Sequence, residues 1–114
     1  MTKKRINEIY RFLAVASMKR LNDEEKIALI RLLRQMKPIS TEISEAINDA
    51  AQKAMADGVE DMNGFVMNAI ADIAGEETTI DVRIMSADTF ERLVLSNDWC
   101  FGQIDELQAE LVKE

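Results

Sequence analysis

Leu29-Ile30-Arg31-Leu32-Leu33-Arg34-Gln35-Met36-Lys37-Pro38-Ile39-Ser40-Thr41-Glu42-Ile43 carries one apolar stripe across the only proline of the chain. Leu29, Leu33, Met36, Ile43, Ile47, Ala50 and Ala54 recur at three-, four- and seven-residue steps, as one side of a helix does. An internal proline removes a backbone donor and costs about 3 kcal/mol, so it often marks a boundary. A boundary would normally reset the phase of the stripe, and the phase is kept. The spacing therefore predicts one long second helix kinked at Pro38. A stop at Lys37 is the alternative, with Ser40 or Thr41 capping a separate helix, because Ser-Thr-Glu-Ile-Ser-Glu has the form of a capping box.

Upstream, Ile6, Ile9, Tyr10, Leu13, Ala16 and Leu21 predict a first helix from Arg5 to Leu21. Leu21-Asn22-Asp23-Glu24-Glu25 then supplies a stop, a capping side chain and acids for the positive end of the next helix dipole. A tight antiparallel hairpin follows over residues 1–57. Glycines 58 and 64 place a loop at 58–64, and Phe65 to Ala74 reads as a third helix with Phe65, Ala69, Ile70 and Ile73 inward and Gly75 closing it. The period then drops to two. Ile80, Val82 and Ile84 alternate with Thr79, Asp81 and Arg83, the pattern of a half-buried strand near 79–84. No second segment alternates as well, so this strand either lies on the helices as an extended linker or pairs with another copy or another protein. Ser86 and Asp88 open a helix holding Phe90, Leu93 and Val94. Asn97 or Asp98 opens the last one, with Trp99, Ile104, Leu107 and Leu111 as its stripe. The expected fold is mostly α: a single domain over 1–114 made of a basic helical hairpin, a loop, and an acidic helix-strand-helix-helix segment over 65–114.

Composition removes most chemistry. The chain contains no histidine, the commonest general acid/base and transition-metal ligand. Cys100 is alone, so no internal disulfide is expected, and with acids Asp98 and Asp105 near it and no imidazole to activate it as a nucleophile, it reads as a core filler. The acidic pairs Glu24/Glu25, Glu60/Asp61, Glu76/Glu77 and Asp105/Glu106 point in different directions on a helix and read as solvated faces. Asp61, Asn63 and Gly64 match the third, fifth and sixth positions of a calcium loop, but Val59 and Ile70 stand where its first carboxylate and its closing glutamate belong. The glycines are too scattered to cradle phosphate. No catalytic residue, cofactor or metal is expected. The chain has neither a secretion-signal stretch at Met1 nor an apolar run of membrane-spanning length, which makes the cytoplasm the expected compartment and a membrane an unexpected partner.

Charge points to partners. Residues 1–37 hold ten Lys/Arg against four acids, a net +6, whereas the chain from Pro38 on is −13, within a total of −7. On the second helix Lys26, Arg31, Arg34 and Lys37 lie opposite Leu29, Leu32, Leu33 and Met36, and Ile27 and Ile30 fall among those bases. Aliphatic side chains ringed by arginine and lysine describe a partner-binding patch with electrostatic guidance. We therefore expect a non-enzymatic interaction protein that binds itself or another protein. Ile27, Ile30, Arg31 and Arg34 would make the contact, and Ile80, Val82 and Arg83 would pair as a strand. Nucleic acid bound by the basic hairpin is the alternative, weakened by the pI of about 4.7.

Asn7-Glu8-Ile9-Tyr10, Lys26-Ile27-Ala28-Leu29, Leu33-Arg34-Gln35-Met36-Lys37-Pro38-Ile39, Glu42-Ile43, and the later Thr79-Ile80-Asp81-Val82-Arg83-Ile84 with Ser86-Ala87-Asp88 give the chain a further likeness. It resembles small prophage-encoded proteins of Gram-positive and Bacteroidetes-type phages. The resemblance implies a long helical hairpin, a short strand, a terminal helical segment and a place in virion or tail assembly, with no catalytic residues.

Overall fold

Five helices account for most of the computed structural model, which describes residues 1–113: α1 Lys3–Leu13, α2 Asp23–Ala56, α3 Met62–Gly75, α4 Ala87–Leu95 and α5 Phe101–Leu111. Glu114, the end of the expected domain, lies outside the described residues. The fold is mostly α, as the periodicity indicates. α2 runs unbroken for 34 residues with Pro38 inside it. Pro38 is exposed, and so is Arg34, whose carbonyl lacks its usual donor there. Met36, Ser40 and Ile43 remain buried. Ser40 caps nothing: its hydroxyl donates to Asn7 Oδ1 at 2.7 Å, and both residues are buried.

The residues group into two units, each discontinuous in sequence: Met1–Tyr10 with Met36–Thr79, and Arg11–Gln35 with the chain from Ile80 onward. Both α1 and α2 contribute to each unit.

In the first unit, Lys3 meets Glu42 and Asn7 meets Ser40, so the early part of α1 runs antiparallel to the later part of α2. Ile6, Ile9, Met36, Ile43, Ala50, Ala54 and Ile70 form its buried apolar set. Gly58 ends α2 with φ of +67°, a left-handed conformation that glycine adopts without the Cβ clash. Asp61 then caps α3, its Oδ1 accepting from the Gly64 N–H at 3.0 Å. A Cβ on Gly64 would sit 2.3 Å from Asp61 Oδ2, so a larger residue there would make the Asp61 carboxylate shift. The calcium-like Asp61-Met62-Asn63-Gly64 is thus a helix start, and α3 begins at Met62 rather than at Phe65. Its residue Ala69 is exposed, not inward. Beyond α3 the backbone folds back onto the N-terminus, with Lys3 N–H donating to Glu76 O at 2.8 Å and Thr78 N–H to Met1 O at 2.9 Å around an antiparallel bridge Thr2↔Glu77.

In the second unit α1 stops at Leu13, so Ala16 and Leu21 lie in an irregular connection instead of on the expected helix. The cause is tertiary. Asn97 Oδ1 accepts from Ser17 N–H at 2.8 Å while its Nδ2 donates to Ser17 O at 2.9 Å, replacing the partners a continued helix would supply. The Ser96 hydroxyl accepts from Arg20 N–H at 3.3 Å. Asn22 and Glu25 then form a reciprocal capping box that starts α2, as their order indicates.

The strand expected at 79–84 is absent: among the described residues β pairing is confined to single bridges. The period-two burial is real, with Ile80, Val82 and Ile84 turned in and Thr79, Asp81 and Arg83 turned out. The ladder fails because donors are engaged locally: Arg83 N–H donates to Asp81 Oδ1 and Ile84 N–H to Val82 O, each at 3.0 Å. The segment continues into Met85, which bridges in parallel to Val112. Its N–H donates to Leu111 O at 3.1 Å and its carbonyl accepts from Lys113 N–H at 2.7 Å. Ser86 caps α4. Cys100, not Asn97 or Asp98, is the N-cap residue of α5 and is exposed, so it fills no core. Trp99 precedes that helix, its ring 4.7 Å from Phe12.

Candidate interaction surfaces

α2 turns Leu29 and Leu32 into the second unit and leaves the opposite side open. Ile27 is 49% exposed and Ile30 37%. Arg31 and Arg34 share that side at the i, i+3, i+4, i+7 spacing and are exposed as well. The structure therefore brings four of the expected contact residues onto one face, about 10 Å long at 1.5 Å per residue. Among the described residues neither arginine has a hydrogen-bonded or ion-paired side-chain partner.

Other bases are neutralised within their own unit. Arg92 grips Glu25 with both terminal nitrogens at 2.5 Å, and Glu25 also accepts from the Thr89 hydroxyl and from Asn22 N–H. The Arg92 guanidinium, followed by the Thr89 and Asn22 donors, holds the Glu25 carboxyl down at about 2 against the opposing effect of desolvation. Arg92 is correspondingly raised, first by Glu25 and then by Asp88. In the first unit Lys3 bridges Glu76 at 2.7 Å and Glu42 at 2.9 Å, which raises its pKa. The N-terminal ammonium meets Glu77 at 2.8 Å. The +6 and −13 of the linear sequence therefore do not become oppositely charged units. The first unit has five bases against ten acids, and the second has nine against ten among its described residues.

Ile80, Val82 and Arg83 offer no comparable surface. Val82 is 5% exposed, Ile80 is half-buried, and Arg83 points its Nη1 at Val112 O, 3.2 Å away.

A further surface escaped the sequence reading. α4 and α5 flank a groove of about 380 Å³ lined by Ala87, Phe90, Glu91, Val94, Leu95, Ile104 and Gln108. Leu95 is 64% exposed, and Phe101, on the same side of α5 as Ile104 and Gln108, is 81% exposed. The available signal was Phe101 itself, a large apolar residue three positions before Ile104 that the stripe assigned to α5 leaves out. In the first unit a cavity of about 430 Å³ is lined by Ile43, Ile47, Met67 and Ile70 together with Asn7 and Glu8.

Among the described residues no group of three or more His, Cys, Asp or Glu side chains could hold a metal ion, and no helix is long and apolar enough to cross a membrane. No protein-family model, curated protein or solved structure matches the chain.

Proposed function

We propose that this chain is a non-enzymatic helical assembly protein that associates with copies of itself through the α2 face made by Ile27, Ile30, Arg31 and Arg34. The observation that carries this reading is the uncovered isoleucine pair followed on the same face by two arginines without acidic partners among the described residues. Removing such half-exposed aliphatic side chains from water contributes about 1 kcal/mol each, and desolvating the patch strengthens its attraction to acids. A place in phage assembly, as the prophage resemblance implies, needs a surface of this kind and no reactive groups. Nucleic-acid binding would use the same arginines but leaves the two isoleucines beside them without a role.

Sedimentation velocity over a range of concentrations tests the reading. The average mass should rise above the 12.9 kDa of one chain, and Ile30→Glu should return it to that value. A monomer at every concentration would refute self-association. Salt-sensitive retardation of DNA or RNA, lost in the double variant Arg31→Ala, Arg34→Ala, would move the function to nucleic acid.

A further inference from the structure

Resting on the self-association just proposed, the geometry points to a head-to-tail contact: the Ile27/Ile30/Arg31/Arg34 face of one copy seats in the α4–α5 groove of the next. The two surfaces belong to the same unit and are matched in shape class and in sign. One is the convex side of a helix with Ile27 and Ile30 as apolar anchors at i and i+3, as in helices that fill apolar grooves, and with Arg31 and Arg34 at i+4 and i+7 to meet acids at the groove's edge. The other is a concave apolar groove floored by Phe90, Val94 and Ile104, with Leu95 and Phe101 exposed beside it. Glu91 lines the groove. Asp105 lines the adjoining cleft, which shares Ala87 and Gln108 with it. Both acids are exposed and, among the described residues, without an ion-paired partner. Arg83 is the one base in that cleft, and it is tied to Val112 O. From Ala87 to Leu111 the chain carries six acids against Arg92 alone, and Arg92 is already paired with Glu25 and Asp88.

Shape and charge together favour the crossed arrangement over the twofold alternatives. Pairing two grooves would juxtapose acids and leave concave surfaces facing each other. Pairing two α2 faces antiparallel would set Asp23 and Glu24 of one helix against Arg34 and Arg31 of the other, but would leave both apolar grooves unfilled. The crossed arrangement sets arginine against carboxylate and fills the groove as well. Such a contact is heterologous. It consumes one face and one groove per copy and leaves one of each open, so assembly continues into a ring or a filament instead of stopping at a dimer.

Mixing complementary variants provides the test. The face variant is Ile30→Glu and the groove variant is Leu95→Glu with Phe101→Glu, all at exposed positions, with circular dichroism checking that each keeps the wild-type helicity and melting temperature. The wild type should form species larger than two chains, and each variant alone should be monomeric. Their equimolar mixture should yield a complex of two chains and nothing larger, because one intact face meets one intact groove. As an arm that leaves the apolar residues untouched, Glu91→Arg with Asp105→Arg should weaken association at least tenfold, and adding Arg31→Glu with Arg34→Glu to the same chain should restore it. A groove variant that associates like the wild type, or a mixture that stays monomeric, overturns the head-to-tail contact while self-association stands. A monomeric wild type refutes both.

Discussion

The first unit is held largely by helix periodicity, whereas the second is held by side chains that reach into irregular backbone. In the first, Ile6, Ile9, Met36, Ile43 and Ile70 come from regular helical positions, and the buried polar contact Asn7 to Ser40 joins one side chain to another. In the second, Leu29, Leu32, Leu93 and Leu111 are equally well buried, but the course of the chain between them depends on Asn97, Ser96 and Glu25. A side-chain pair can be replaced as a pair. A backbone group bonded by a side chain has no such substitute, so the second unit should be the less tolerant of polar substitutions.

The most severe test of this contrast is one core truncation in each unit. Ile6→Ala and Leu93→Ala should each cost about 2–5 kcal/mol in denaturant unfolding, since both side chains are fully buried. Hydrogen exchange should show the loss of protection concentrated in the unit that holds the cavity; uniform loss across the chain would erase the distinction between the units.

Next in size, Asn97→Ala should cost about 1–3 kcal/mol by leaving Ser17 N–H and Ser17 O without their partners, and should raise exchange in residues 14–21. In the first unit Ser40→Ala alone should destabilise more than Ser40→Ala combined with Asn7→Leu, because the double variant leaves no buried polar atom behind.

Glu25→Gln keeps the capping geometry and removes the charge. At neutral pH it should cost about 2 kcal/mol, the scale of hydrogen bonds to an ionised group. The Glu25 carboxyl lies at about 2 in the folded chain against an ordinary 4.5, so its stabilisation is complete above 4.5 and is lost as pH falls towards 2. The stability gap between wild type and variant should close over that window, and a gap that persists at pH 2 would contradict the assignment.

The smallest effect is expected for Lys3→Met, whose ion pairs involve the half-exposed Glu42 and Glu76; any loss should vanish in high salt.

The long second helix was legible because Leu29, Met36, Ile43, Ala50 and Ala54 keep one phase, and that local rule outweighs a proline placed on the exposed side. The caps at Asn22 and Ser86 were legible for the same reason: a cap is decided within three residues. Half of the candidate surface was readable too, since Ile27 and Ile30 break the amphipathic pattern of α2. The α4–α5 groove was not, because Leu95 and Phe101 belong to different helices and nothing in their spacing shows that they border one concavity.

By itself the amino-acid order determined the helical class, the unbroken phase of the apolar stripe across Pro38, the inward alternation of Ile80, Val82 and Ile84, and the absence of histidine chemistry. These depend on the period of a stripe, on residues a few positions apart, or on composition. Only the tertiary structure decided that α1 stops at Leu13, that residues 79–84 form no ladder, and which charges are neutralised. Ser17 with Asn97, Glu25 with Arg92 and Met85 with Val112 are separated by 27 to 80 residues, and a polar partner that far along the chain leaves no periodic trace in the sequence.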